Sequence, residues 1–338
     1  ILGPSFMFNL SKRSSIAVIS RVRANFNINN ISGELYETVA DEFDTDNDFD
    51  FDSQNLNGTI HAWAEIGLTY GRILVNKPNH LLKGGVTLKY LQGAGSVFMD
   101  SPGMQGQYTA STEMLTTQGE LNYGTSRDFE DGEIDFSDLT AGFGFDLGFT
   151  YQWHPNRESD TIPNYKDPYK LKIGVSVTDL GSINYDKAIV TTYDLNATVD
   201  ASSYDDDTEA FLEDNYPGVE TKKATKIKLP TALHVLVDYR LTNKWFVSAQ
   251  ADLSMIKDGT ELSNSVINSV TVAPRLETKW FSFYAPLSFR QYGDISFGGG
   301  FRLGSLTVGS ASVFTNLLSD SSKTTDVYVG LKIPFYRK

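Results

Sequence analysis

LTAGFGFDLGFTYQW, residues 139–153, decides how the chain is read. Its odd positions are Leu139, Ala141, Phe143, Phe145, Leu147, Phe149, Tyr151 and Trp153; its even positions are glycine, Thr140, Asp146, Thr150 and Gln152. Successive side chains of a strand point to opposite faces, so one face here is wholly apolar and the other small or polar. A helix would scatter the same residues around its circumference. Soluble strands average about 5–6 residues, whereas a tilted strand needs about 9–11 to cross a bilayer. Fifteen in register predicts a membrane-crossing strand.

The alternation recurs along the chain. Ile16, Val18, Val22, Ala24, Phe26 and Ile28 alternate with Arg21, Arg23, Asn25 and Asn27, and Ile60 to Tyr70 alternate with His61, Glu65, Gly67 and Thr69. Thirteen strands are expected, near 3–11, 14–30, 58–74, 80–97, 138–154, 168–185, 224–241, 244–256, 266–278, 280–291, 293–304, 306–317 and 325–336. Short turns, such as 12–14, 75–79 and 242–243, interleave with long connections at 31–57, 98–137 and 186–223. Sorting short turns to one side and long loops to the other is the layout of an outer-membrane barrel with its long loops extracellular. The expected fold is therefore an all-β, transmembrane antiparallel β-barrel forming a single domain over 1–338. Such barrels have an even strand count with both termini periplasmic, so a further N-terminal strand and a total of fourteen are expected. Trp153, Tyr169, Tyr239, Trp245, Trp280 and Phe335 fall at the short-turn ends and are read as an interfacial aromatic girdle.

Composition limits the chemistry. Of 338 residues, 29 are basic and 42 acidic, with no cysteine and a net charge of −13. An acidic chain repels nucleic acid, and the lack of cysteine excludes disulfides, zinc-thiolate sites and thiol nucleophiles. No G-x-S-x-G elbow and no H-E-x-x-H pair is present, and His61, His80, His154 and His234 are the only histidines. The chain is read as non-enzymatic and without a cofactor, catalytic set or metal site. Lipid and lipopolysaccharide are the expected surroundings.

The negative charge is concentrated. Residues 31–57, 125–138 and 186–223 carry −9, −5 and −7, so the rest of the chain is positive by eight. All three segments belong to the long-loop side. Within the first, DEFDTDNDFDFD (41–52) lacks the Gly and Glu of an EF-hand, since Phe49 and Asn55 stand at those places in a loop starting at Asp44. Divalent cations could bind there only without specificity. Asp44, Asp46, Asp48, Phe49 and Phe51 are expected to face a partner. So are Phe211, Leu212 and Tyr216, on a short helix predicted within DDDTEAFLEDNYPG (205–218), where an Asp caps the start and Pro217-Gly218 ends it.

Charges also occupy the inward parity of the strands. Arg21, Arg23, Glu65, Lys89, Asp146, Asp238, Arg240, Asp252, Arg275, Glu277, Arg290, Asp294, Arg302 and Lys332 make eight bases and six acids. Near balance fits a network that fills the barrel and holds its shape; an Arg row facing carboxylates would instead line a diffusion channel. Both readings stay open on parity alone.

The opening GPSFMFNLSKRSSIAVISRVRANFNINNIS (3–32) resembles a family of Bacteroidota outer-membrane barrels of poorly defined function. The matching features are Gly3 to Phe6, the basic turn Lys12-Arg13, and a long strand containing Arg21 and Arg23. The resemblance implies an accessory subunit of an outer-membrane assembly or secretion complex, with other subunits as partners. Some members continue into an OmpA-like peptidoglycan-binding domain, which is not visible here. The layout is also similar to fourteen-stranded fatty-acid-channel-like barrels, which implies the alternative: a channel or transporter for small or hydrophobic solutes.

Overall fold

A strand that alternates apolar and polar residues can satisfy both faces only if one meets lipid or a core and the other meets charge. The computed structural model resolves this by rolling one antiparallel sheet. It describes residues 1–127, 139–155, 169–205, 207–257, 262–293, 295–319 and 325–332. Asp294, Phe335, most of the acidic segment 125–138 and of the connection 155–167 lie outside the described residues.

The strands are β1 (Phe6–Asn9), β2 (Ser14–Asn29), β3 (Phe49–Lys77), β4 (His80–Thr109), β5 (Met114–Thr125), β6 (Thr140–Trp153) and β7 (Leu171–Tyr185). After them come β8 (Ile189–Asp194), β9 (Ala197–Asp200), β10 (Gly218–Lys222), β11 (Thr225–Lys228), β12 (Ala232–Arg240), β13 (Trp245–Ser254) and β14 (Ser269–Glu277). The last are β15 (Phe281–Tyr284), β16 (Leu287–Arg290), β17 (Ser296–Phe297), β18 (Gly299–Leu303), β19 (Leu306–Ser310) and β20 (Tyr328–Leu331). Three short helices are α1 (Gly33–Ala40), α2 (Thr208–Asn215) and α3 (Val313–Leu318).

Thirteen passes build the wall, each antiparallel to the pass before it, from β1 through β2, β3, β4, β6, β7, β11/β12, β13, β14, β15/β16, β17/β18 and β19 to β20. Pro230 interrupts β11/β12 and Pro286 interrupts β15/β16, because proline has no N–H for the ladder. Among the described residues no ladder joins β1 to β20. The expected strand at 306–317 is shorter than its pattern: β19 ends at Ser310 and Val313–Leu318 turns into α3, with Asn316 N donating to Ser312 O at 2.9 Å.

Contacts across the interior show the roll. Arg23 on β2 and Asp179 on β7 are four ladders apart, about 19 Å along a flat sheet at ~4.8 Å per strand. Yet Arg23 Nη1 lies 2.8 Å from Asp179 Oδ2. His61 Nε2 and the Tyr185 hydroxyl meet at 2.9 Å across three ladders. The opening stretch sits as its parity demands: Phe143 is 73% exposed on the outer face, while Gly142 and Gly144 are buried. Ile66, Leu68, Leu88, Leu147, Phe149, Val272 and Phe301 continue the exposed apolar belt. A water-exposed belt of this extent would be an aggregation site; against hydrocarbon it is the stable face.

Two bulges then change the parity. On β4, Ala62 pairs with Gly95 and Trp63 with Gly93, leaving one extra residue on β4. On β7, Phe145 pairs with Leu180 and Leu147 with Val177, so Asp146 opposes two residues. Asp179 fills that second bulge in the left-handed region (φ 60°), and its N–H donates to Asp146 Oδ1 at 2.8 Å. Beyond the bulges, Phe98, Ile183 and Tyr185 turn inward and pack with Trp63, Leu91, Ile227 and Leu229. Gly93 makes room for this core, since a Cβ there would lie 2.2 Å from the Tyr185 hydroxyl.

The long connections are not plain loops. β3 and β4 continue above the belt, β5 pairs with β4, β8 and β9, and β10 pairs with β8. With α1 and α2 they make a cap with its own core of Leu35, Phe43, Phe51, Tyr108, Leu115, Tyr193, Phe211 and neighbours. Residues 262–265, between the expected strands at 244–256 and 266–278, cross into the interior. Asn264 Nδ2 donates to Thr59 O at 2.8 Å and to Asn27 Oδ1 at 3.1 Å, and Ser265 N donates to Asn27 Oδ1 at 3.1 Å.

Candidate functional site in the interior and the cap

Inward parity brings Arg21, Arg23, Glu65, Lys89 and Asp146 together, and the β7 bulge adds Asp179. Lys89 Nζ, almost fully buried, bonds Asp146 Oδ1 at 2.6 Å and Asp179 Oδ1 at 2.7 Å. Arg21 Nε pairs with Glu65 Oε1, and Arg23 reaches Glu65 at 4.0 Å besides its bond to Asp179. Three bases and three acids make a neutral hub. Trp63 closes its upper side: Nε1 donates to Glu65 Oε2 at 3.3 Å and the ring lies 4.9 Å under the Arg23 guanidinium.

The other inward charges split into smaller groups. Asp238 accepts from the Tyr169 hydroxyl at 2.5 Å and from Arg275 Nη2 at 3.0 Å, while Arg275 Nε forms an ion pair with Glu277 Oε2 at 3.1 Å. Asp252 bonds His234 Nδ1 at 2.5 Å, and Thr178 meets His234 Nε2 at 3.0 Å. Arg302 serves a turn, donating to Thr278 O, Gly304 O and the Ser282 hydroxyl. Arg290 ends β16 opposite Ser269. Of the girdle residues, Tyr239, Trp245 and Trp280 are exposed on the outer face and Trp153 is half-buried. Tyr169 departs from that role: its hydroxyl is drawn inward to Asp238, a stronger acceptor than lipid offers.

In the cap, Asp44, Asp46 and Asp48 are exposed as expected from their charge. Asp48 also has a structural task, since Oδ1 accepts the Ala110 N–H at 2.8 Å. The aromatic and aliphatic residues expected to face a partner do not. Phe51, Phe211, Leu212 and Tyr216 are all buried, and Phe49 packs against them half-buried. Burying them against one another removes apolar area from water, at about 25 cal/mol per Å², which an exposed loop forgoes. Asp207 caps α2 by accepting the Ala210 N–H at 3.0 Å, and this aims Phe211 and Leu212 at the core.

That core is hollow. A cavity of about 280 Å³ is walled by Ile28, Ile31, Leu35, Val39, Phe43, Phe51, Met99, Met104, Leu115, Tyr204, Phe211, Leu212 and Tyr216, among others, and among the described residues no charged side chain lines it. Four hydroxyls of its wall are engaged: Thr117 Oγ1 donates to Leu195 O at 2.5 Å and lies 3.0 Å from the Tyr216 hydroxyl, and the Tyr204 hydroxyl meets that of Thr208 at 3.2 Å. Burial raises the Tyr216 hydroxyl above the ordinary tyrosine pKa, which keeps the wall neutral. Sequence parity pointed to the interior hub. The cavity was hidden because its residues come from three separate connections.

A rolled antiparallel wall, apolar outside and charged within, with a folded cap over one end, defines a membrane-spanning β-barrel protein. The chain belongs to a family of unknown function, DUF5723, which matches residues 1–310. Among solved structures it is similar to the toluene transporter TbuX of Ralstonia pickettii, at 10% identity and a TM-score of 0.42, over 91% of this chain and 75% of that one. No curated protein matches significantly.

Proposed function

We propose that this protein is a non-enzymatic outer-membrane barrel that takes up small apolar molecules, with the cap cavity as its first binding site. The cavity itself carries the reading. An apolar cavity of about 150 Å³ already suffices to bind benzene; this one, at about 280 Å³, has room for a two-ring aromatic or a short aliphatic chain. Its mixture of aromatic and thioether walls suits such a ligand, since Met99, Met104, Phe43 and Phe211 offer polarisable contact without fixed polarity. The neutral hub below would hold the resting barrel shut to ions while the cap is loaded.

Binding of N-phenyl-1-naphthylamine, a neutral dye that fluoresces in apolar surroundings, tests this. Purified protein in amphipol is expected to bind it saturably. Ala40→Trp, at the exposed rim of the cavity, and Met104→Trp, deeper in, are each expected to weaken binding at least tenfold. Overpacking costs typically 1–3 kcal/mol, so a folded Ala40→Trp protein with unchanged dye affinity would remove the cavity from the mechanism.

The filled interior favours a second reading, an accessory subunit that docks other outer-membrane proteins on its acidic cap. Capture in mild detergent is then expected to return a stoichiometric partner that is lost from the triple variant Asp44→Asn, Asp46→Asn, Asp48→Asn. Equal capture by that variant would discard these acids as the docking face. Peptidoglycan attachment through a domain beyond this chain belongs to the same reading.

A further inference from the structure

We infer that the cap cavity admits neutral and cationic apolar molecules and rejects anionic ones, free fatty-acid carboxylates included. The inference rests on the cavity being a ligand site and adds which ligands it takes. The lining comes from three stretches, 28–56, 99–121 and 195–216. Together they hold nineteen acids and no Lys, Arg or His.

The two helices that wall the cavity show the arrangement most directly. α1 turns Leu35 and Val39 to the cavity and carries Glu34 and Glu37, with Asp41 and Glu42 just beyond it. α2 turns Phe211 and Leu212 inward and carries Glu209, Glu213 and Asp214. An amphiphile whose tail enters between them must leave its head among these carboxylates. A head drawn inside meets no cation among the described lining residues, and burying an unpaired carboxylate is costly. Thr117 is already committed to Leu195 O and Tyr216.

The acid field reaches the cap core. Tyr108, which touches the cavity-lining Phe43 ring at 5.4 Å, is held above the ordinary tyrosine range first by burial and then by Glu113, Asp44 and Asp48. Tyr193 is raised by burial and then by Glu213. One-signed clefts change local ion concentrations by about 10–10³-fold, so cations gather at this mouth and anions are depleted.

A matched pair of dyes reads the selectivity: N-phenyl-1-naphthylamine, which is neutral, and 8-anilino-1-naphthalenesulfonate, the same ring system bearing a sulfonate. At about 0.1 M salt, where the screening length is about 10 Å, the neutral dye is expected to bind at least tenfold more tightly, after subtraction of the signal from the Ala40→Trp protein. The gap should narrow in 1 M salt. It should also narrow severalfold in the variant Glu34→Gln, Glu37→Gln, Glu213→Gln, Asp214→Asn, with neutral-dye affinity kept. Equal affinities for the two dyes in the unaltered protein would overturn the charge selectivity and leave the cavity as a binding site. Failure of both dyes to bind, or binding untouched by both Ala40→Trp and Met104→Trp, would overturn the uptake reading and this inference with it.

Discussion

Lys89→Met is expected to cost the barrel about 3–5 kcal/mol, the penalty for leaving a buried ion group without its partner. The Lys89 ammonium bridges Asp146 and Asp179, and its side chain is 1% exposed. Without it, Arg23 still holds Asp179, but among the described residues Asp146 keeps only the Asp179 N–H beside another carboxylate. The loss should appear as a lower urea midpoint for the heat-modifiable band of the folded barrel on gels. The triple variant Lys89→Met, Asp146→Asn, Asp179→Asn should recover most of it, because it removes the stranded charge as well. An unchanged midpoint for Lys89→Met would mean that water enters the hub freely, and the neutral network would no longer explain the filled interior.

Trp63→Ala is expected to act on both stability and permeability. Trp63 is 0% exposed, lies tilted 33° against the His61 ring at 4.8 Å between centroids, and packs in the cluster with Leu91, Phe98 and Ile183. Deleting a buried indole of this kind costs about 3–5 kcal/mol. It also removes the largest side chain between the hub and the cap. In planar bilayers the unaltered protein is expected to pass no steady ion current, and Trp63→Ala to pass one. Steady current through the unaltered protein would show the resting interior to be open. Trp63→Phe, which keeps an aromatic ring in place and loses the bond to Glu65, should stay closed.

The wall was legible because lipid enforces the alternation. Phe143, Leu147 and Phe149 lie outside and Gly142 and Gly144 inside, as the period of two requires. The same parity located Arg23, Glu65, Lys89 and Asp146. It missed Asp179, because a bulge is a one-residue change that alternation does not encode, and the positive φ falls on an aspartate rather than a glycine. Ile183 and Tyr185 were hidden for the same reason: both lie past a bulge, where the inward parity has switched. The cap was missed differently. Residues 98–137 and 186–223 are rich in acids, Ser, Thr and Gly, and they read as loops until β5, β8, β9 and β10 pair with one another. The helix over Thr208–Asn215 was legible from its Asp cap and Pro-Gly stop. The direction of its apolar side was not, because inward and outward faces look alike until something covers one.

The length of β3 has a consequence for where a ligand leaves water. Its exposed apolar residues run from Ile60 to Leu74, but the strand continues up to Phe49 and lines the cavity with Phe51 and Leu56. At ~3.3 Å per residue and a tilt near 45°, that sets the cavity about 10–20 Å beyond the apolar belt. On the uptake reading proposed above, the barrel would work as a raised intake standing clear of the hydrocarbon. A sparingly soluble molecule can be caught on the watery side before the surrounding lipid competes for it.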